Sequence, residues 1–198
     1  QHGALAKSDI ARMTGLSAQT VSVIMRALEQ DGLLQKGEPQ RGRIGQPSVP
    51  MSLAADGAFF LGLKIGRRSA DLSLVDFTGQ LRGTLRRIYR YPTPDAVLAF
   101  AAEAIPQLTA SLPEALRDRI AGMGVAMPFQ LWSWVAYLGA PQAEMDAWRS
   151  RDIQRELTEV AGMPVTVQND ATAACGAELV FGTGEKPNDF LYFYCGTF

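Results

Sequence analysis

Apolar residues near the N-terminus recur at helical spacing on either side of a tight turn at residues 15–17. Ile10 and Met13 lie on one side of a first predicted helix, which Ser8 is expected to cap. Gly15 is expected to end that helix in the left-handed conformation. The pattern therefore predicts two short helices joined by a tight turn.

The second predicted helix has one apolar stripe and one polar face. Ser17 can cap it, and Val21, Ile24 and Leu28 recur at i, i+3 and i+7, which predicts that they are buried. Five residues are left on the other face: Gln19, Thr20, Ser22, Val23 and Arg26. A helix-turn-helix places its second helix in the DNA major groove, so we expect Ser17 and these five residues to contact DNA. An ordinary helical hairpin with a solvated polar face is the alternative.

The residues after the helix pair are typical of a wing. Asp31 and Gly32 are expected to close the second helix, and Leu33-Leu34 predicts a buried strand. Residues 35–50 are rich in Gly, Pro and Arg and precede a second short run at 51–53. Three cations lie in this segment: Lys36, Arg41 and Arg43. They can lie along DNA phosphates or enter the minor groove, although a solvated loop has a similar composition.

The charge balance differs between the two parts of the chain. Residues 1–51 carry six Lys or Arg against four Asp or Glu, and the remainder carries thirteen against sixteen. The basic excess therefore lies in the helix pair and wing. Because that excess is small, tight binding to double-stranded DNA would need a homodimer or a higher homo-oligomer with several heads, and nonspecific DNA binding is disfavoured.

Beyond residue 53 the pattern alternates between strand and helix. Strand-like runs occupy 59–65, 70–76 and 81–91. Thr93-Pro94-Asp95 then predicts a helix start, with a capping hydroxyl before a proline, and the helix is expected to end near Ser111. Further elements are predicted in this order: a strand at 122–127, a helix at 152–161 ended by Gly162, a strand at 165–168, a helix at 171–181 and a strand at 190–194. The order predicts an α/β fold with a mixed sheet.

Composition favours a soluble globular protein with more than one domain, since 47% of the 198 residues are hydrophobic and the formal charge is −1. The uncharged run at 120–143 is long enough to cross a bilayer. Gly, Pro, Gln and Ser interrupt it, so we interpret it as a buried strand and a pocket-lining loop and expect no membrane partner.

Cysteine usage favours a reducing, cytoplasmic location. Cys175 and Cys195 are the two cysteines, and no signal peptide is evident at the start of the sequence. His2 is the single histidine. This donor set disfavours a complete zinc site in the chain.

Four groups of residues together resemble a known family. They are the helix pair with the wing Arg41-Gly42-Arg43-Ile44-Gly45-Gln46-Pro47; Gly62-Leu63-Lys64-Ile65-Gly66 with Leu74-Val75-Asp76 and Gly79; Gly122-Met123-Gly124-Val125-Ala126-Met127-Pro128; and Asn169-Asp170-Ala171 with Glu178 and Phe181-Gly182. In this order they resemble the ROK family, which combines sugar kinases with sugar-responsive transcription factors in the actin-like ATPase superfamily. The resemblance implies a winged helix-turn-helix domain at residues 1–52 and an actin-like ROK domain at 53–198.

The first phosphate loop departs from the pattern of the family's kinases. Those kinases carry an Asp for the magnesium nucleotide, two glycines whose backbone amides reach phosphate, and a Thr. In this chain Lys64 replaces the Asp, Arg67 the second glycine and Arg68 the Thr. We therefore expect no phosphoryl transfer and no enzymatic activity. Direct binding of a phosphorylated effector by Lys64 and Arg67 is an alternative.

The sugar side of the site resembles the family more closely. Asn169 and Asp170 follow a predicted strand, at the end where ligands of α/β sheets bind, and match the family's sugar-contacting Asn-Asp pair. The resemblance implies that the Asp170 carboxylate accepts hydrogen bonds from sugar hydroxyls. The same pair can instead cap the following helix. Phe129 lies in the loop that resembles a second sugar contact, where it either stacks on a sugar or fills space.

The resemblance also implies that the C-terminal lobe is missing from this chain. With it would go the family's zinc site, further sugar ligands and much of the dimer interface, so zinc is expected only outside these residues. The sequence thus predicts a dimeric DNA-binding repressor of carbohydrate-metabolism genes with a sugar or sugar-derivative effector. The alternative is a ROK-type sugar kinase that phosphorylates a hexose with ATP.

Overall fold

The structure is a computed structural model that describes residues 3–39, 48–182, 184 and 189–194. Its contacts divide the chain into two units, which we call the head unit and the sheet unit. The head unit comprises Gln1–Phe59 and Asp76–Gln80, and the sheet unit comprises Phe60–Val75 and Leu81–Phe198. The domain boundary between residues 52 and 53 stays a prediction.

The head unit contains two helices and a short hairpin. Its elements are α1 (Lys7–Thr14), α2 (Ala18–Gln30), β1 (Leu34–Lys36) and β2 (Met51–Leu53). The two strands are antiparallel, with Leu34 opposite Leu53, as a wing requires. Gly15 and Gly32 adopt φ angles of 70° and 72°, so both helix ends have the left-handed residue that glycine supplies at little cost. Residues 40–47, with the predicted wing cations Arg41 and Arg43, lie outside the described residues.

The two helices of the head unit start differently. The Oγ of Ser17 accepts a hydrogen bond from the Thr20 amide at 3.1 Å, which confirms the predicted cap of α2. The predicted cap at Ser8 is wrong, because α1 begins before it, directly after Ala6. The chain leaves a bridge between Leu5 and Met51 at this point and turns at once into the helix.

The buried side of α2 is rotated from the predicted stripe. Val21 and Met25 are 2% and 6% exposed and form the core of the head unit with Met51. Ile24, predicted to be buried, is 43% exposed, and Leu28 is only partly buried. The difference arises because Met51 supplies an apolar surface on the Met25 side of the helix, which the pattern within one helix does not reveal.

A comparable correction applies to α1. Ile10 and Ala11 pack against the core of the head unit. Met13, predicted to share the side of Ile10, is 53% exposed. The short helix therefore contributes a single turn of apolar contacts to this core.

A mixed five-stranded sheet organises the sheet unit. Its strands are β3 (Phe59–Ile65), β4 (Ser69–Asp76), β5 (Leu81–Ile88), β6 (Ile120–Met127) and β7 (Val165–Asn169). They lie in the order β5-β4-β3-β6-β7. Because β4 and β5 are antiparallel and β6 and β7 are parallel, the predicted α/β class with a mixed sheet is confirmed.

Six helices connect the strands or follow them in the described residues. They are α3 (Pro94–Ala110), α4 (Glu114–Arg117), α5 (Val135–Leu138), α6 (Gln142–Ser150), α7 (Ile153–Ala161) and α8 (Asp170–Phe181). Thr93 caps α3 as predicted, and its hydroxyl oxygen accepts from the Ala96 amide at 3.2 Å. The predicted strand at 190–194 is wrong, because these residues have no ladder partner in the described part of the chain and are exposed.

The apolar run at 120–143 divides between several short elements. It contains β6, a 3-10 turn at Leu131–Trp134, α5 and the start of α6. No helix in the described ranges is both long and apolar enough to cross a membrane.

The turn at residues 76–80, which joins β4 to β5, is grouped with the head unit by its contacts. Asp76 is 3% exposed, and its Oδ1 accepts hydrogen bonds from the Thr78 and Gln80 amides at 2.9 and 3.0 Å. The Phe77 amide donates to the Ala55 carbonyl at 3.2 Å. These bonds satisfy the buried carboxylate, which would otherwise be costly.

Candidate DNA-binding face and ligand site

Gln19, Val23 and Arg26 form a continuous stripe on the side of α2 away from the core, which we call the outward stripe. They are spaced at i, i+4 and i+7, and all three are exposed. In the part of the chain that the structure describes, neither Gln19 nor Arg26 has a hydrogen-bonding or ionic partner. The stripe can therefore contact another molecule without breaking contacts of its own.

The hydroxyl residues predicted to contact DNA are engaged within the head unit. The Oγ of Ser17 lies 2.8 Å from the Oγ1 of Thr20, in addition to capping α2. Ser22 is half-buried, and its Oγ accepts from Lys7 Nζ at 3.5 Å. These side chains shape the start of α2 and its contact with α1, and their contact with DNA stays a prediction.

Lys36 is the one predicted wing cation that falls within the described residues. Its Nζ lies 2.6 Å from Glu29 Oε1 in an ion pair whose two side chains are 57% and 31% exposed. An exposed pair of this kind contributes about 0–1 kcal/mol, so Lys36 can exchange Glu29 for a phosphate at little cost.

Asn169 and Asp170 stand where β7 ends and α8 begins. The Oδ1 of Asn169 accepts from the amides of Ala171 at 3.1 Å and Thr172 at 3.2 Å, so Asn169 is the cap. The Oδ1 of Asp170 accepts from the same Ala171 amide at 2.9 Å. No described residue donates a hydrogen bond to the second carboxylate oxygen of Asp170. Asn169 is therefore the main cap of α8, and one carboxylate oxygen of Asp170 is available to other donors.

The loop after β6 lies at the same end of the sheet. Met127 pairs with Asn169 in the parallel ladder, so the carboxyl ends of β6 and β7 are adjacent. Phe129 follows in this loop and is 65% exposed. Gln130 has a φ of 56°, and its carbonyl accepts from both the amide and the hydroxyl of Ser133 at 2.8 Å. The structure thus brings Phe129 to the same end of the sheet as Asp170. A contact of Phe129 with a sugar stays a prediction.

The turn between β3 and β4 is closed by its own hydrogen bonds. The Gly66 amide donates to the Ser69 carbonyl at 2.8 Å. The Tyr89 hydroxyl lies 2.7 Å from the Gly66 carbonyl and 2.8 Å from the Ser69 carbonyl. Burial raises the pKa of Tyr89 above its ordinary value, and the negative charge of Asp71 raises it further, so the phenol remains a donor. A phosphate cradle needs free backbone amides, and the Gly66 amide is used here.

The two arginines of this turn contact other parts of the sheet unit. The Arg68 guanidinium donates to the Arg90 carbonyl. The Arg67 guanidinium lies 5.6 Å from the centre of the Trp134 ring, a cation–π contact to the segment that follows β6. Lys64 is exposed on β3 and is a cation, which cannot ligate magnesium. Among the described residues, no group of three or more His, Cys, Asp or Glu could hold a metal ion.

Tyr89 and Trp134 were not singled out from the sequence. Tyr89 reaches the turn because Ser69 pairs with Ile88 across the β4–β5 ladder, which places the next residue of the chain beside Gly66. A prediction of that register would have found Tyr89. The contact of Trp134 with Arg67 joins residues far apart in sequence, and no local pattern indicates it.

Both parts of the chain match known protein families. The family model for the ROK family matches residues 60–197, and the family model for winged helix-turn-helix DNA-binding domains matches residues 1–35. A protein named transcriptional regulator from Mycobacterium tuberculosis is 29% identical over 186 residues, which is 91% of this chain and 40% of that protein. The xylose repressor of Bacillus subtilis is 20% identical over 188 residues, covering 95% of this chain and 48% of the repressor.

The chain is similar to an enzyme as well. The glucokinase of Streptomyces coelicolor is 29% identical over 141 residues, which is 69% of this chain and 40% of the glucokinase. The chain thus spans at most about half the length of these curated relatives. Among solved structures, it is similar to a ROK family transcriptional regulator described as a homologue of the E. coli MLC protein, with a TM-score of 0.58 and 20% identity over 89% of this chain and 44% of that one. This likeness shows a shared fold.

Proposed function

Because the chain belongs to the ROK family and its first residues match a winged helix-turn-helix model, we propose that it is a DNA-binding transcriptional regulator. The outward stripe of α2 carries the proposal, since Gln19, Val23 and Arg26 are exposed on a helix that Ser17 caps. Similarity to a transcriptional regulator and to a xylose repressor supports the regulator branch of the family.

The regulator is, in this proposal, a cytoplasmic repressor of carbohydrate-metabolism genes. It binds its operator as a homodimer or higher homo-oligomer, so that two heads reach two half-sites. A sugar or sugar derivative bound by Asn169, Asp170 and Phe129 changes the relative position of the heads and with it the affinity for the operator. The name of the xylose repressor supports a sugar effector.

Fluorescence anisotropy tests the proposal directly. The full chain is titrated onto duplex DNA from upstream of its own gene at fixed salt, with a random duplex as the control and with and without a panel of sugars. The expected result is specific binding that one sugar shifts. Specific binding that no sugar shifts would contradict the effector, and equal affinity for both duplexes would contradict the regulator.

Asp170→Asn separates ligand binding from helix capping. Asn169 supplies the cap through the Ala171 and Thr172 amides, so the variant is expected to keep its fold. It loses the charge that strengthens hydrogen bonds to sugar hydroxyls. The sugar response should weaken at least about tenfold, as for loss of one charge-assisted hydrogen bond. An unchanged response would exclude Asp170 from the site.

Arg43→Ala tests the wing. If Arg43 contacts phosphates or the minor groove, the variant should bind specific and random duplexes more weakly by a similar factor. Its affinity should also depend less steeply on salt concentration, because one phosphate contact is lost. A loss confined to the specific duplex would instead assign Arg43 to base recognition.

A sugar kinase is the second candidate, because the glucokinase similarity and the presence of Asp170 favour it. Lys64 and the internally bonded turn at Gly66 argue against it. Hexose-dependent ATP turnover that Asp170→Asn abolishes would establish the kinase and reverse the order of the two proposals. Absence of turnover with hexoses that shift DNA binding would leave the regulator.

A further inference from the structure

Val23 is an apolar side chain in the middle of the outward stripe. It is 61% exposed, and it points away from Val21 and Met25, which form the core of the head unit. Gln19 lies one turn before it and Arg26 nearly one turn after it. A β-branched residue is a poorer helix former than alanine, so Val23 neither fills the core nor favours the helix. What distinguishes Val23 from other exposed apolar residues is its place between Gln19 and Arg26, where its surface is available for a contact outside the chain.

The DNA major groove offers one apolar group to such a side chain. Adenine, guanine and cytosine present hydrogen-bonding atoms there, whereas thymine also presents its 5-methyl group. We propose that Val23 contacts the 5-methyl group of one thymine in each half-site and thereby selects thymine at that position. The inference rests on the proposed DNA-binding function and adds the chemistry that the head recognises.

The geometry of the stripe supports a central role for Val23. With a rise of about 1.5 Å per residue, Gln19 and Arg26 are separated by about 10 Å along α2, which is about three base-pair steps. The Gln19 amide is suited to adenine and the Arg26 guanidinium to guanine, and both lack internal partners among the described residues. The nearby hydroxyls of Ser17 and Thr20 are bonded to each other. Val23 is thus the central contact of a three-residue reading surface.

Removal of single methyl groups from the DNA tests this contact. The full chain first selects its preferred site from a pool of random duplexes, and each thymine of that site is then replaced in turn by deoxyuridine, which lacks only the 5-methyl group. Affinities are measured for the unchanged protein, for Val23→Ala and for Ile24→Ala. Ile24 is a matched control because it is another exposed apolar residue, 43% exposed, on a different side of the same helix.

One thymine in each half-site is expected to show coupling to Val23. Its replacement should weaken binding by the unchanged protein and by Ile24→Ala about fourfold, the worth of one buried methyl group. It should weaken binding by Val23→Ala by a smaller factor, because alanine lacks the two Cγ methyl groups of valine. Alanine is the better helix former, so the melting temperature of Val23→Ala should not fall.

Two results would overturn the inference, and they differ from the failure of the proposed function. A uracil effect of equal size in the unchanged protein and Val23→Ala at every position would exclude the contact, as would the absence of any uracil effect. Selection that yields no preferred sequence would overturn the proposed function, and this inference with it.

Discussion

The outward stripe of α2 and the turn between β3 and β4 both carry arginines, but their side chains are used differently. In the stripe, Arg26 is exposed and has no partner within the described ranges. In the turn, Arg68 donates to the Arg90 carbonyl and Arg67 stacks on Trp134. The polar side chains of the stripe are available to another molecule, whereas the arginines of the turn make contacts within the sheet unit.

This difference indicates which of the two regions is suited to bind another molecule. A backbone amide that already donates within a turn cannot also donate to a phosphate without losing a bond. The Gly66 amide and the Tyr89 hydroxyl are both committed in this way. Gln19 and Arg26 would exchange only hydrogen bonds with water when they bind another molecule. In the proposed function, recognition therefore falls to the stripe, whereas the hydrogen bonds of the turn stabilise its own conformation.

The largest expected effect contrasts the two sides of α2. Met25→Ala should lower the free energy of unfolding by about 2–5 kcal/mol, because it leaves a cavity in the core of the head unit. Val23→Ala should change it by less than about 0.5 kcal/mol. Urea denaturation followed by circular dichroism measures both. Similar losses from the two substitutions would show that Val23 is also part of a core.

The next effect concerns DNA affinity. Arg26→Ala and Gln19→Ala should each weaken specific binding by about 1–3 kcal/mol and leave binding to a random duplex nearly unchanged, because each removes a base contact. Anisotropy titrations at one salt concentration provide the measurement, with Arg68→Ala as the control from the turn. If Arg68→Ala weakened specific binding equally, the comparison between stripe and turn would fail.

A smaller effect is expected in the turn. Tyr89→Phe removes a donor to the carbonyls of Gly66 and Ser69 and should cost about 0.5–1.5 kcal/mol of unfolding free energy. Since the folded-state pKa of Tyr89 is raised above its unfolded value of 10.0, its contribution is complete below that pH and is lost as the pH rises further. Urea midpoints measured on both sides of pH 10.0 should therefore converge for the two proteins at high pH. Parallel curves would contradict this role.

The smallest expected effect concerns the ion pair between Arg151 and Glu156, which also binds within the sheet unit. The Arg151 Nε lies 3.0 and 3.1 Å from the two carboxylate oxygens of Glu156, and this hydrogen bonding lowers the pKa of Glu156. Stabilisation is then present above the unfolded pKa of 4.5 and is lost as the pH falls through the folded value. Glu156→Gln should flatten the acid limb of a urea-midpoint profile slightly. A steeper limb would contradict the direction of the pKa shift.

Local signals predicted much of the fold and some features of the site. The bounds of β3, the Thr93 cap of α3 and the Ser17 cap of α2 follow from alternation and capping chemistry within a few residues. Val21 is buried as predicted, but Ile24 is exposed and Met25 is buried, because Met51 from a distant strand packs on the Met25 side of α2. The segment at 190–194 is apolar like a strand but has no described ladder partner, which a sequence pattern cannot show.

The sequence by itself determined the helix pair, the strand order along the chain and the membership of the ROK family, because short motifs in a fixed order specify them. Tertiary structure decided how the polar groups are used. Strand pairing brings Tyr89 to the turn at Gly66, and packing on Met51 turns Ile24 outward and leaves Val23 at the centre of the exposed face. These outcomes depend on contacts between residues distant in sequence, and a local sequence pattern cannot predict the energy of such contacts.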